Sequence, residues 1–157
     1  MSKSLKRVRT ALELEDITFE IRETGEARTA KMAADELGVH VDQIVKSIVF
    51  RGENSGDAVL FLTAGGQQVD TNIAAELMGE PIGKADAALV RAQTGFAIGG
   101  VSPVGHLNPI RTWFDRRLLD FHEIWAAAGT PHHVFNSSPD DLLKISSATA
   151  AEFTVKK

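Results

Sequence analysis

The chain has no cysteine. Disulfides, thiolate metal sites and a cysteine nucleophile are therefore excluded, and the absence fits a reducing cytoplasm. It has no run of the roughly eighteen apolar residues that a membrane span needs. The basic start Met1-Ser2-Lys3-Ser4-Leu5-Lys6-Arg7 has no apolar core behind it, so it is not a secretory signal. An excess of positive charge is missing as well: 17 Lys and Arg face 21 Asp and Glu, a net charge of −4. A surface that bound long nucleic acid throughout would be basic, so any such contact here must be local. The five histidines show no His-x-x-x-His pair and no His/Asp cluster, which leaves no metal site to propose. Gly-x-Ser-x-Gly, the Walker loop and Gly-x-Gly-x-x-Gly are all absent.

What remains is ordinary soluble-protein composition, 43% apolar and 24% charged over 157 residues, read as one domain spanning 1–157. Within it the stretch from Thr94 to His106 stands out: Gly95, Gly99, Gly100, Gly105 and Pro103 fall among apolar neighbours. A helix interior would lose roughly 1 kcal/mol per glycine. A strand carries a glycine pair only where another backbone or a ligand comes close. The expectation is a rigid loop whose successive N–H groups turn toward one point, suited to a carbonyl oxygen, a carboxylate or a phosphate. A plain glycine-rich turn between strands fits the same composition.

Along the chain, Ser4 to Leu14 has helical spacing of Leu5, Val8 and Leu12. Residues 17–22 alternate like a half-buried strand. Thr29 caps a helix to about Leu37, ended by Gly38. Lys46 to Arg51 and Ala58 to Thr63 read as a hairpin around the polar 53–57 loop. Asp70 and Asp86 cap helices over 71–78 and 87–93. Residues 110–114 and 117–121 read as paired strands, 123–128 as a helix, 133–135 as a strand and 152–155 as a closing strand. Ser138-Pro139-Asp140-Asp141 is a helix start. The irregular interleaving predicts an α+β domain with a mixed, mostly antiparallel, barrel-like sheet surrounded by helices.

Lys46 is the first chemical candidate, because a charge sits inside the apolar segment Ile44-Val45-Lys46-Ser47-Ile48-Val49. Turned inward, it needs an anionic or polar partner. Turned outward, it is an ordinary strand lysine. Ser102 is a loop hydrogen-bonder in preference to a nucleophile, since Pro103 forbids the strand-to-helix elbow of serine hydrolases. From the residues alone, the chain presents a small-ligand or anion site between Lys46 and the glycine loop.

Thr94 to Gly105, preceded by Gln43 to Val49, resembles the YbaK / prolyl-tRNA synthetase editing-domain family over nearly the whole chain, including the helix end Ala33 to Gly38 and the closing Asp141-Leu142-Leu143 helix. The family's Gly-x-x-x-Pro loop matches Gly99 to Pro103, and its essential lysine matches Lys46. The resemblance implies a cytoplasmic trans-editing hydrolase that deacylates mischarged aminoacyl-tRNA at its acceptor end, with no cofactor, no metal and no membrane. A synthetase partner and the oligomeric state stay open. It implies catalytic roles for Lys46 and for the main chain of Gly99, Gly100 and Val101, acting on the oxyanion. Thr29, Ser47, Phe96, Ser102 and Pro103 are the implied substrate contacts. A small amino acid is implied, Ala, Cys, Ser or Thr, possibly on tRNA(Pro). The cysteine-specific branch carries an acidic residue in the strand after the late glycine, whereas Gly129 to Asn136 here has no carboxylate. The basic residues Lys3, Lys6, Arg7, Arg9, Arg28 and Lys31 are candidate tRNA phosphate contacts. The alternative function is a non-catalytic tRNA-end or nucleotide-binding module of the same fold.

Overall fold

The computed structural model describes residues 2–25 and 27–156. Five helices and eight strands follow in the order α1 (Lys3–Leu14), β1 (Ile21–Glu23), α2 (Ala30–Leu37), β2 (Ile44–Gly52), β3 (Ala58–Ala64), α3 (Thr71–Met78), β4 (Ile82–Lys84), α4 (Ala87–Thr94), β5 (Arg111–Asp115), β6 (Ile124–Thr130), β7 (His133–Ser137), α5 (Pro139–Ile145) and β8 (Thr149–Ala151). Short 3-10 turns occupy Val41–Gln43 and Arg116–Asp120.

Capping decides most helix ends. Thr29 accepts from the Met32 N–H and Gly38 closes α2 in the left-handed region. Asp70 and Asp86 accept first-turn N–H groups of α3 and α4. Ser138 caps α5, with Pro139 in the first turn.

The strands form one mixed sheet in the order β1-β7-β6-β2-β3-β5-β8, with β4 also paired to β2. Four pairings are antiparallel (β1–β7, β7–β6, β2–β3, β2–β4) and three parallel (β2–β6, β3–β5, β5–β8). The end strands β1 and β8 do not pair, so the barrel-like sheet stays open. Its central strand β3 is buried on both faces. On one face Leu60 and Leu62 join Leu5, Val8, Leu12, Phe96 and Phe135. On the other Phe61 stacks on Trp113 and meets Phe153 edge-on.

Four expectations need correction. Residues 117–121 are no strand: Asp115 accepts from the Arg117 N–H and turns the chain into a 3-10 turn. Residues 123–128 are no helix. Ala and Trp there lie in β6 between β2 and β7, where burial of the strand overrides the helical preference of alanine. The closing strand comes earlier, at Thr149–Ala151, and residue 154 contributes only an isolated bridge to Val69. The early strand is confined to Ile21–Glu23.

The feature that positions the site is a split along one edge of β2. β6 pairs there with Ile44 and Val45, and β4 pairs with Phe50, Arg51 and Gly52. Neither strand covers residues 46–49.

Candidate active site

Lys46 lies in that split, opposite Thr63 on β3. On its face of the strand, Ile44 packs with Ala33, Ala34 and Trp125, while Ile48 packs with the Phe61 cluster. The lysine head therefore emerges between two apolar clusters. Its ammonium donates to the main-chain carbonyl of Gln67.

The segment carrying that carbonyl is fixed by Asp42. One carboxylate oxygen accepts from the Gly66 N–H at 2.7 Å. The other accepts from the Gln67 amide at 3.1 Å and from Arg117 Nε at 2.9 Å. Burial opposes ionisation of Asp42, but Arg117, Gly66 and Gln67 outweigh it and hold the carboxyl below its ordinary range. Asp120 also accepts from Arg117, at 2.9 Å, and the two carboxylates together raise the guanidinium pKa. Gly65 and Gly66 leave the room this turn requires. A Cβ on Gly65 would sit 2.3 Å from the Val41 carbonyl oxygen, and one on Gly66 would sit 2.6 Å from Asp42 Oδ1.

The glycine loop forms the facing wall. Gly95 ends α4 with φ +81°. Residues 97–100 make a turn closed by the Gly100 N–H to the Ala97 carbonyl at 3.0 Å. Gly99 carries φ +93° within it, a conformation that an L side chain rarely adopts. Gly100 is glycine for a different reason: a Cβ there would stand 2.9 Å from the Thr130 main chain.

From Ser102 onward the loop is strapped down. The Val104 N–H donates to Ser102 Oγ at 3.2 Å, and His106 Nε2 donates to the Ser102 carbonyl at 2.6 Å. Arg7 of α1 reaches across to donate to the Gly105 carbonyl at 2.7 Å and lies over the Phe96 ring, 4.5 Å from its centroid. Burial holds His106 below its usual pKa; Arg7 works the same way, and the bond to Ser102 opposes them.

Between these walls lies a cavity of about 700 Å³, the size of a small-molecule site. Lys46, Ser47, Gly99, Val101 and Thr29 all line it. Ser47 Oγ is buried and has no hydrogen-bond partner among the described residues. No protein acceptor takes the N–H of Gly99 or Val101 among the described residues. These two main-chain donors are available to a ligand.

Four predicted site residues lie elsewhere. The Gly100 N–H donates to the Ala97 carbonyl, and Gly100 is absent from the cavity lining. Phe96 is fully buried in the core beneath Arg7. Ser102 is fully buried and internally bonded. Pro103 is buried and borders a separate groove with Gly105 and Asn108. All four shape the loop and do not line the cavity.

Sequence reasoning missed Thr130, His133 and Trp125, which line the cavity from β6 and β7. Thr130 Oγ1 and His133 Nδ1 are 2.7 Å apart. It named Arg28 and Lys31 only as candidate phosphate contacts, yet both stand at the cavity, with Lys31 also paired to Asp35 at 3.2 Å. Arg7, expected on the tRNA side, is committed to the loop. No cluster of three or more His, Cys, Asp or Glu that could hold a metal occurs among the described residues. No helix among them is long and apolar enough to cross a membrane.

Comparison with known proteins adds to this geometry. A crystal structure described as that of "a putative trans-editing enzyme for prolyl tRNA synthetase" superposes with a TM-score of 0.91 at 43% identity, over 99% of both chains. The uncharacterized protein YwhH of Bacillus subtilis is 30% identical over 145 residues, 91% of each chain. A protein of Enterococcus faecalis named "Putative Cys-tRNA(Pro)/Cys-tRNA(Cys) deacylase EbsC" is 25% identical over 130 residues, 82% of this chain and 79% of that one. The aminoacyl-tRNA editing domain family matches residues 24–145, which hold every residue of the cavity described above. The chain belongs to the aminoacyl-tRNA editing domain family.

Proposed function

We propose that this protein is a trans-editing hydrolase that deacylates mischarged aminoacyl-tRNA carrying a small amino acid, Ala, Cys, Ser or Thr, with tRNA(Pro) as one candidate carrier. The observation that carries the reading is that Lys46, Gly99 and Val101 line one cavity, and that no acceptor among the described residues takes the N–H of Gly99 or Val101. The names of the similar trans-editing protein and of EbsC point to the same reaction class.

The substrate is an ester between an amino acid and a ribose hydroxyl. Attack on its carbonyl carbon by water, or by a group of the substrate itself, places negative charge on the carbonyl oxygen. The Gly99 and Val101 N–H groups are the donors for that oxyanion. Lys46 supplies positive potential and orients the ribose or its phosphate. It acts by position, because an ammonium that holds its protons cannot accept one. Ser47 Oγ, buried without a protein partner, gains a hydrogen bond when a polar substrate group arrives. The apolar wall of Ala30, Ala33, Ile44 and Trp125 limits the amino acid by volume.

A deacylation panel tests this. Purified protein is mixed with tRNAs charged with Ala, Cys, Ser and Thr, mischarged tRNA(Pro) included, with and without EDTA. Hydrolysis of at least one, unchanged by chelation of the protein, is expected. Tight binding of the acceptor end with no turnover on any of them would favour the non-catalytic module instead.

A further inference from the structure

Along a β-strand the main-chain N–H and C=O of successive residues turn to opposite edges. On β2 the end of the strand shows which residues turn which way. The Gly52 N–H donates on the β3 side, to the Asp57 carbonyl at 2.9 Å, and the Glu53 N–H donates on the β4 side, to the Pro81 carbonyl at 2.8 Å. The register with β3 runs from Val45↔Ala64 to Arg51↔Ala58 without a shift. Even-numbered residues therefore face β3, and odd-numbered residues face the other edge. Val45 meets β6 on that edge and Arg51 meets β4. Ser47 falls between, beyond the last pair with β6 and before the first pair with β4, so its N–H and C=O both open into the split. Neither has a main-chain partner elsewhere among the described residues. Ser47 Oγ is buried and unbonded as well.

Ser47 also stands beside the proposed oxyanion donors. Ser47, Ile48, Gly99 and Val101 border both the Lys46 cavity and a neighbouring one of about 420 Å³, so the open edge of β2 and the glycine loop meet there. In an aminoacyl ester the amino nitrogen lies about 2.5 Å from the reacting carbonyl carbon, across one Cα. With that carbonyl at Gly99 and Val101, the group that receives the amino nitrogen must adjoin them.

An amino group donates N–H bonds in either protonation state, and a buried donor without an acceptor is costly. No carboxylate among the described residues lines the Lys46 cavity, so the acceptor there is a neutral oxygen. The hydroxyls of Thr29 and Thr130 are already engaged, by the N–H groups of Met32 and His132. Ser47 offers a carbonyl and a hydroxyl that are not. The acyl half of the substrate also has the chemistry of a strand residue, an amino donor and a carbonyl acceptor on one Cα, which is what an open strand edge pairs with. A ribose has neither group.

We infer that Ser47 receives the α-amino group of the aminoacyl ester, through its main-chain carbonyl and its Oγ, and that the acyl unit docks on β2 as a single added strand residue. The inference rests on the deacylase reading for the position of the carbonyl, and on the open edge of β2 for the partner of the amino group. It makes a free amino group, and not side-chain volume alone, a requirement on the substrate.

The test uses tRNA(Pro) acylated with the amino acid that the deacylation panel shows to be hydrolysed fastest, and with its desamino counterpart, propionate in place of alanine for example. Each single-turnover rate is divided by the uncatalysed hydrolysis rate of the same ester, because an α-amino group itself activates an ester. The wild-type protein is expected to favour the aminoacyl ester by at least about tenfold, the scale of a lost hydrogen bond. Ser47→Ala removes Oγ and keeps the carbonyl, so it should shrink that preference, slowing the aminoacyl ester more than the desamino ester. Melting curves are recorded alongside. Binding is read separately with two non-hydrolysable amides of aminodeoxyadenosine, the alanyl and the propionyl. The alanyl amide should shift the NMR signal of the Ser47 carbonyl carbon and the propionyl amide should not. Equal normalised rates on the two esters, or equal slowing of both in folded Ser47→Ala, would overturn the assignment. If no charged tRNA is hydrolysed at all, the deacylase reading fails, and the amides alone then decide: equal shifts, or none, at the Ser47 carbonyl would remove the amino-group contact.

Discussion

The two walls of the Lys46 cavity are immobilised in different ways. On the β2 side, Arg117, Asp42 and the Gly66-Gln67 turn form a chain of charged and polar groups that ends on the Lys46 ammonium. On the loop side, residues 95–106 are held by packing and main-chain bonds: Phe96 in the core, Gly100 against Thr130, and the Gly105 and Ser102 carbonyls tied to Arg7 and His106. The lysine needs a directional anchor because its four-carbon stem is flexible. The proposed role of the loop asks only for main-chain donors at the cavity, and close packing fixes a backbone well. Damage to the lysine itself should appear mainly as lost catalysis, and damage to its Asp42 anchor or to the packed loop as lost stability and catalysis together.

Lys46→Ala is expected to have the largest effect. Single-turnover deacylation should fall by at least about 10²–10³-fold, the scale for removing one group that meets developing charge. Its melting curve should stay close to wild type. Full turnover in the folded mutant would remove Lys46 from the mechanism.

Asp42→Ala comes next. It strips Gly66, Gln67 and Arg117 of a shared acceptor. Breaking a fully buried pair costs about 3–5 kcal/mol, but the Arg117 side chain is 37% exposed, so about 1–3 kcal/mol is expected here. If Asp42 acts through Lys46, the loss of rate in Asp42→Ala should vanish in a Lys46→Ala background while the loss of stability persists. Additive rate losses would break that link.

Gly100→Ala should lower stability by about 1–3 kcal/mol, because the new methyl group must displace the Thr130 main chain. Deacylation should fall with it, through the displaced cavity wall. An unshifted melting curve would contradict the packing role.

Ser47→Ala separates ligand contact from structure. Removing a buried hydroxyl that bonds to nothing should leave stability unchanged or raise it by up to about 1 kcal/mol. Deacylation should nevertheless drop about tenfold if the hydroxyl meets substrate. Wild-type kinetics would exclude that contact.

The smallest effect belongs to His106. Its folded-state pKa is lowered, so the unfolded chain takes up the proton first as pH falls. Its share of stability is complete above the ordinary histidine range near 6.5 and declines as pH drops below it. Wild-type melting temperatures should therefore fall more between pH 7 and 5 than those of His106→Gln, and parallel curves would count against this.

The helices were legible in the sequence because their ends carry local chemistry: Thr29 with Gly38, Asp70, Asp86, and Ser138 with Pro139. Strand β6 was not, since Trp125 to Ala128 owes its conformation to neighbours distant in sequence. β4 passed unnoticed because three residues after Pro81 carry no periodic signal. Lys46 and the glycine block announced themselves as violations of pattern, a charge in an apolar strand and glycines where no regular element keeps them. Which glycine does what was hidden, because Gly99 answers to a turn and Gly100 to Thr130, 30 residues further on. Asp42, Arg117 and His133 look like ordinary polar residues until the fold brings their partners to them.

Arg7 has a consequence for portability. Residues 94–105 look like a self-sufficient motif, a cassette to be lifted into another scaffold. Their shape, however, is completed by a guanidinium 87 positions upstream of Thr94, on a helix outside the 24–145 family match. A transplant of the loop alone would carry the glycines without the brace. The smallest transferable unit is the loop together with α1, and any engineered N-terminal trimming of this protein is an intervention on its active site.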